Sequence, residues 1–398
     1  MMNGGFMLPV EVARIQRPAL IAGGVALLAF LLSALVNRPQ FFRFYLIAYV
    51  FWVGIALGSL ALLLLQHLTG GQWGLVIRRV LESSTRTLPL MILLFVPIVV
   101  GSRYIYPWMD QGLMASKPAL AEKASYLNLW FFVVRTVVYF AVWLGTAYLL
   151  NAWSLEQDRT TDRSVTRRMR MFSGPGLIFF VLTVTFASID WAMSLNPEWY
   201  STIYGLIYVA AWTLSALAFT TAVMSLLIKH EPMAGIVRPS HFQDLGKLLL
   251  ALVMLWAYFA FSQFLIVWSG NLPEEIHWYL PRVKGFWGAI ALVVVIFHFG
   301  FPFLLLLSRR VKRDPRMLVF VALTVLMMRL LDLFWMILPE FTHDSHMSWM
   351  DALTAIIAQI GFGGIWLAVF LWQLGKRPLI PVNDPQFEAL VSQADTRH

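Results

Sequence analysis

Ten long apolar runs separated by short polar stretches dominate the chain, at 18–36, 44–65, 86–102, 129–150, 174–194, 203–228, 247–268, 285–307, 317–338 and 351–374. Each approaches the ~20 residues needed to cross ~30 Å of hydrocarbon. In lipid the backbone must satisfy its own hydrogen bonds, and the runs lack the alternation of a membrane barrel. The pattern therefore predicts ten helices and an all-α, polytopic membrane protein. Pro89 and Pro97 break the third run, the weakest of the set. Residues 1–375 form one integral membrane domain, and the tail 376–398, with Pro378, Pro381 and Pro385, reads as irregular. The longest connections, 103–128 and 151–173, leave no room for a second globular domain. Between the second and third runs, Trp73, Leu75, Val76, Arg78 and Arg79 predict either an interfacial amphipathic turn or a solvated connector.

Basic residues give the orientation. Arg14, Arg17, Arg78, Arg79 and Arg86, then Arg159, Arg163, Arg167, Arg168 and Arg170, fall on one side. Lys229, Arg238 and Lys247, the group Arg309, Arg310, Lys312, Arg313 and Arg316, and Lys376, Arg377 and Arg397 join them. The opposite loops hold only Arg38, Arg43, Arg103, Lys117, Lys123, Arg282 and Lys284. This bias places both termini in the cytoplasm. It also accounts for the formal charge of +9 without a nucleic-acid partner. The first residues lack the pattern of a cleaved signal peptide.

Charges inside the spans are the candidate chemistry, because an ionised side chain at a helix centre costs at least ~2.5–3.5 kcal/mol on insertion scales. Five ionisable residues qualify: Arg135, Asp190, His298, Arg329 and Asp332. At a rise of ~1.5 Å per residue, Asp190 lies roughly 24 Å from the cytoplasmic edge, Asp332 roughly 22 Å, Arg135 roughly 21 Å and Arg329 roughly 18 Å. His298 lies at roughly 10 Å. Four of the five share a depth in the outer half, which predicts one polar pocket among helices 4, 5, 7 and 9. Helical spacing adds Asn128 and Tyr139 to the face of Arg135, Thr183 and Ser194 to that of Asp190, and Tyr258, Ser262 and Ser269 on helix 7. Two readings stand for these charges. Arg329 with Asp332, and Arg135 with Asp190, either neutralise each other or line a proton or ligand path.

At the outer end of helix 7, Gly270, Asn271 and Pro273 read as a helix stop, while Glu274 and Glu275 beside them offer a proton exit. On the inner side Asp244, Lys247 and His298 either form the mouth of a half-channel or pack separately. Gly54 with Gly58, and Gly361, Gly363 and Gly364, mark close helix packing.

Absences narrow the field. The chain has no Cys, so thiolate metal sites, iron–sulfur clusters, attached c-type haem and disulfides are excluded. His298 is the sole histidine well inside a span, so a haem held between paired histidines is not expected. No phosphate-binding, dinucleotide or zinc motif is present, and no metal site is expected.

Three segments carry a family resemblance: FASIDWAMSLNPEWYSTIYG at 186–205, FSQFLIVWSGNLPEE at 261–275 and NAWSLEQD at 151–158. They resemble the NrfD-like, polysulfide-reductase-type membrane subunits, specifically those of alternative complex III, a quinol:electron-acceptor oxidoreductase. The likeness extends over nearly the whole chain. It implies two four-helix bundles, helices 2–5 and 6–9, flanked by helices 1 and 10, in a bacterial inner membrane. It also implies partners: a sister NrfD-like subunit, a periplasmic iron–sulfur subunit, haem c subunits and small membrane anchors. The quinone, menaquinone for example, is expected toward the periplasmic side of the first bundle, where Asp190, Arg135, Tyr139 and Ser194 fall. His298, Arg329, Asp332, Asp244, Asn271, Glu274 and Glu275 are then the proton-path candidates. The family's quinol-oxidising sister carries a His beside the acid, whereas here helices 2–5 hold only His67, at an inner end. The resemblance therefore implies proton transfer or scaffolding for this chain. Two rivals are a secondary transporter with a midplane site and a purely structural anchor.

Overall fold

The computed structural model describes residues 6–160, 162–341, 347–381, 383–385 and 387. Among them ten helices are long and apolar enough to cross a membrane. These are α1 (Val10–Val36), α2 (Arg38–Thr69), α3 (Gln72–Val100), α4 (Leu129–Gln157), α5 (Arg163–Leu195), α6 (Tyr204–Leu227), α7 (Pro239–Gly270), α8 (Gly285–Leu307), α9 (Pro315–Glu340) and α10 (Trp349–Leu374). The protein is an all-α, multi-pass membrane protein. Its two sides are called here the basic side, which carries Arg78, Arg79 and the start of α1, and the far side.

Side-chain caps fix where several helices begin. Asn37 accepts the Gln40 amide at 3.1 Å to open α2, and Asn128 accepts the Phe131 amide at 2.9 Å to open α4. Asp314 accepts the Arg316 amide at 2.8 Å to open α9, and Ser348 with Asp351 forms a reciprocal box at the start of α10. Most helices outrun their apolar stretches because polar residues can continue a helix beyond the hydrocarbon once these caps set the ends.

α2 to α5 form one four-helix bundle and α6 to α9 a second, joined where α6 packs on α2 and α5. α1 and α10 pair with each other and cover α2. The joint is tight: a Cβ on Gly58 would lie 1.9 Å from the Trp212 carbonyl oxygen of α6. Between α1 and α10, a Cβ on Gly364 would lie 2.5 Å from the Gly23 Cα. Both glycine groups thus serve close backbone approach. Large apolar residues such as Leu28 and Leu32 on α1 and Leu304 and Phe320 on α8 and α9 are exposed, as expected of a lipid-facing wall.

Three expectations need correction. Residues 72–85 are neither a connector nor an interfacial turn, but a helix (Gln72–Thr85) that is almost entirely buried and continues past Arg86 and Thr87 into the rest of α3. It is buried because it packs against α2, α4, α6, α7 and α10 on the basic side. Residues 151–157 and 163–173 are likewise helical. On α7 the face of Tyr258 and Ser269 is exposed, and the residue that points inward is Gln263. The described part of the tail is irregular but anchored: the Leu379 amide donates to the Phe6 carbonyl at 2.7 Å, and Leu379 and Ile380 are buried. Arg397 and the last residues, 388–398, lie outside the described residues.

Candidate functional site

Asp190 sits in the last turns of α5 on the far side and is 0 % exposed. Arg135, on the neighbouring α4, reaches it with two bonds: Nε to Oδ2 at 2.8 Å and Nη2 to Oδ1 at 2.9 Å. One α4 turn away, the Tyr139 hydroxyl donates to Asp190 Oδ2 at 2.7 Å. The third arginine nitrogen, Nη1, donates to the Tyr126 carbonyl at 2.9 Å. The guanidinium lies over the rings of Tyr126 and Phe131, 3.8 Å and 4.3 Å from their centroids. Each partner therefore neutralises a charge that would otherwise be stranded in a low-dielectric medium. Tyr126 belongs to the 101–128 connection outside the spans, and burial pushes its phenol up from the ordinary value.

Ser194 completes the cluster through the backbone, donating to the Asp190 carbonyl at 2.6 Å and accepting from the Trp108 indole at 3.1 Å. Trp108 also lines a recess of about 470 Å³ with Met114, Leu127, Asn128 and Leu129. The volume is within the ~300–1,000 Å³ of small-molecule sites. Asp190 does not line it. Next to Asp190 in the chain, Trp191 packs into the bundle edge-on to Tyr49 and Trp143 and tilted against Phe95.

A second cluster lies in the other bundle. Arg329, 0 % exposed, pairs with Asp332 one turn along α9 and lies 5.4 Å from the Tyr208 ring centroid of α6. His298 faces it from α8, stacked on Trp256 of α7 with centroids 4.1 Å apart. His298 sits in a π-helical turn, Val295–Gly300. Pro302 supplies the cause, since it has no N–H for the His298 carbonyl four residues earlier and its ring crowds that carbonyl. Both His298 nitrogens and Arg329 Nε and Nη2 are buried without hydrogen-bond partners among the described residues.

The structure therefore yields two separate clusters in place of one shared pocket. Arg135 and Asp190 close on each other in the first bundle, while α9 packs on α6, α7 and α8 in the second. The equal depths were a property of each helix alone, and depth says nothing about which neighbours a helix faces.

The remaining sequence candidates lie apart. Asp244 makes an exposed ion pair with Lys247 at 2.8 Å and does not join buried His298. Asn271 takes a left-handed conformation (φ 47°) and ends α7, its amide donating to the Val267 carbonyl at 3.1 Å. Glu274 and Glu275 begin a short helix beyond it, and among the described residues their carboxylates form no ion pair. Nearby, Arg282 lies 3.6 Å from the Trp278 ring centroid and bonds Glu340 at 2.7 Å. Burial lowers the Arg282 pKa, and the Glu340 carboxylate opposes that shift.

Sequence reasoning missed a third cluster, on the basic side. Arg79 donates to Glu82 at 2.7 Å, to Ser154 at 3.0 Å and to both Asp158 oxygens at 2.5 and 2.6 Å. Arg78 bonds Gln157 at 2.9 Å and Asp384 of the tail at 2.7 Å. Arg377 reaches the carbonyl and side-chain oxygens of Asn151, both at 3.2 Å. Burial raises the Asp158 carboxyl, against the pull of Arg79. The Arg79–Glu82 spacing was the one local signal; the other partners come from distant segments.

Two of the three motif segments fall on these clusters. Residues 186–205 supply Asp190 and Ser194, and 151–158 supply the basic-side acceptors. Residues 186–205 and 261–275 also meet: Ser201 donates to Gln263 at 2.8 Å and the Trp199 indole to the Glu275 carbonyl at 3.1 Å. Among the described residues no group of three or more His, Asp or Glu side chains is arranged to hold a metal ion. No protein-family model matches the chain, and no curated protein matches it.

Proposed function

We propose that this chain is an integral membrane subunit of a respiratory quinol oxidoreductase, of the NrfD-like kind found in alternative complex III. In this reading the basic side is cytoplasmic, the membrane is the bacterial inner membrane, and haem c and iron–sulfur partner subunits carry the electrons. Beyond the motif resemblance, one observation carries the reading. A wholly buried carboxylate, Asp190, is held by Arg135 and Tyr139 on the far side, and its backbone is linked through Ser194 and then Trp108 to a recess large enough for a quinone ring.

The same geometry limits the role. Both Asp190 oxygens accept bonds from Arg135, and Oδ2 takes a third from Tyr139. Asp190 does not line the recess and its oxygens are turned to Arg135 and Tyr139, so it offers no contact through which to take a quinol proton. Direct oxidation therefore falls to the sister subunit. This chain supports it with a fixed polar shell and offers His298, Arg329 and Asp332 for proton transfer in the second bundle.

The test is Asp190→Asn in the assembled complex, with quinol turnover and protons released per electron normalised to haem content. A fall in either supports the reading. Unchanged values remove the site. A second reading, a structural anchor, is favoured by the saturation of Asp190 with internal partners. It expects less assembled complex but full turnover in what assembles.

A further inference from the structure

On the basic side a groove of about 400 Å³ runs between α8 and α9, lined by Phe301, Leu305, Val311, Phe320 and Val321, with Arg316 as its one charged residue. Leu304, Leu307, Met317 and Phe320 around it are exposed on two helices of membrane-spanning length, so the groove opens to lipid. At its basic-side end the chain turns through Arg309, Arg310, Arg313 and Arg316, all exposed. Among the described residues none of these four forms an ion pair. The one acid in this stretch, Asp314, is turned to the backbone, accepting the amides of Arg316 at 2.8 Å and Met317 at 3.5 Å.

A sidedness rule explains why arginines collect on this side. It does not explain an apolar groove in register with them. Phe320 lies one turn, roughly 6 Å, deeper along α9 than Arg316. The arrangement is thus apolar below and cationic above, at the depth where the phosphate of a lipid leaflet meets its acyl chains.

We propose that this groove binds an anionic phospholipid, one acyl chain lying between α8 and α9 and the headgroup phosphate held by Arg316 and Arg313. Arg309 and Arg310 add long-range attraction. The four unpaired cations supply the charge complementarity, and the exposed aromatic and aliphatic wall supplies the chain site. A guanidinium suits the phosphate because its fork matches two oxygens at once.

The test uses the purified full-length protein, with native mass spectrometry in detergent and three probes: dioleoylphosphatidylglycerol, dioleoylphosphatidylcholine and inorganic phosphate. Phosphatidylglycerol should be held in preference to phosphatidylcholine. Each arginine near an anionic lipid surface contributes about fivefold in binding, so Arg313→Gln with Arg316→Gln should weaken phosphatidylglycerol about 25-fold and phosphatidylcholine, whose phosphate is offset by its own cation, by much less. Met317→Trp, which fills the groove without altering charge, should weaken both lipids. Because these side chains are exposed, the thermal midpoint without added lipid should not move, which separates lost binding from lost folding. Equal retention of the two lipids, or phosphatidylglycerol binding within twofold of wild type in the double variant, would overturn the proposal. So would competition by millimolar inorganic phosphate, which marks a free-anion site, or a co-purifying acidic membrane segment that excludes lipid.

Discussion

The Arg135–Asp190 pair offers the sharpest quantitative test of how this protein tolerates charge in its interior. Asp190→Asn keeps the shape but removes the charge and one of the two acceptors that Arg135 uses at 2.8 and 2.9 Å. Arg135 is then buried beside the Tyr126 carbonyl with no anion in reach. Removing one member of a buried pair costs about 3–5 kcal/mol, because the other is left uncompensated. Arg135→Met should cost a similar amount, leaving the carboxylate with the Tyr139 hydroxyl alone. In the double variant no charge remains, so its cost should fall well short of the sum, with a coupling of at least about 2 kcal/mol. The assay is reversible unfolding in mixed micelles of rising SDS fraction, followed by circular dichroism for the wild type and three variants. Additive single costs, with a coupling below ~0.5 kcal/mol, would refute the claim that the two charges hold each other in place.

Other consequences can be measured separately. Asp384→Asn removes the charged partner of Arg78 and should cost about 1.5–3 kcal/mol, with faster hydrogen exchange at the Leu379 amide as the tail loosens. Gly58→Ala should destabilise by at least about 1–3 kcal/mol through overpacking, because its Cβ would strike the Trp212 carbonyl; Gly24→Ala, which meets nothing within 4 Å, is the neutral control. Tyr279, on the far-side connection, has its phenol pushed up to about 12 by burial. Its folded pKa exceeds the unfolded one, so it contributes stability below the ordinary tyrosine range that is lost as pH rises toward 12. Tyr279→Phe should flatten that alkaline decline in unfolding midpoint, and an unchanged slope would remove Tyr279 from the account.

The ten crossings were legible because hydrocarbon leaves the backbone a single helical solution, and the run lengths match its thickness. Arg135 and Asp190 were legible for a related reason, since a charge inside a span demands a partner and few were on offer. The first half of the third helix, residues 72–85, was not. Arg78 and Arg79 read as cations of an interfacial turn or a solvated connector because nothing nearby in the chain announces Asp158 and Asp384, which meet them only in three dimensions. Helix 7 misled for another reason: serine and tyrosine tolerate a lipid-facing surface, so polar type alone did not mark its inner face, while Gln263 did the inward bonding to Ser201 and Tyr279. The π-helical turn at His298 had a signal in Pro302, four residues on, whose effect on the turn shows only in the structure.

The tail's grip on the first bundle bears on the order of biosynthesis. Arg78 emerges from the ribosome roughly 300 residues before its partner Asp384, and Glu82 nearly as long before Arg377, which lies 3.4 Å from it. Until the tail has been translated, Arg78 has only Gln157, and Glu82 only Arg79 and Ser154, of the partners they hold in the finished bundle. Helices inserted early are thus finished late, and a chain stalled before that point would present an open, polar wound for quality-control proteases to find.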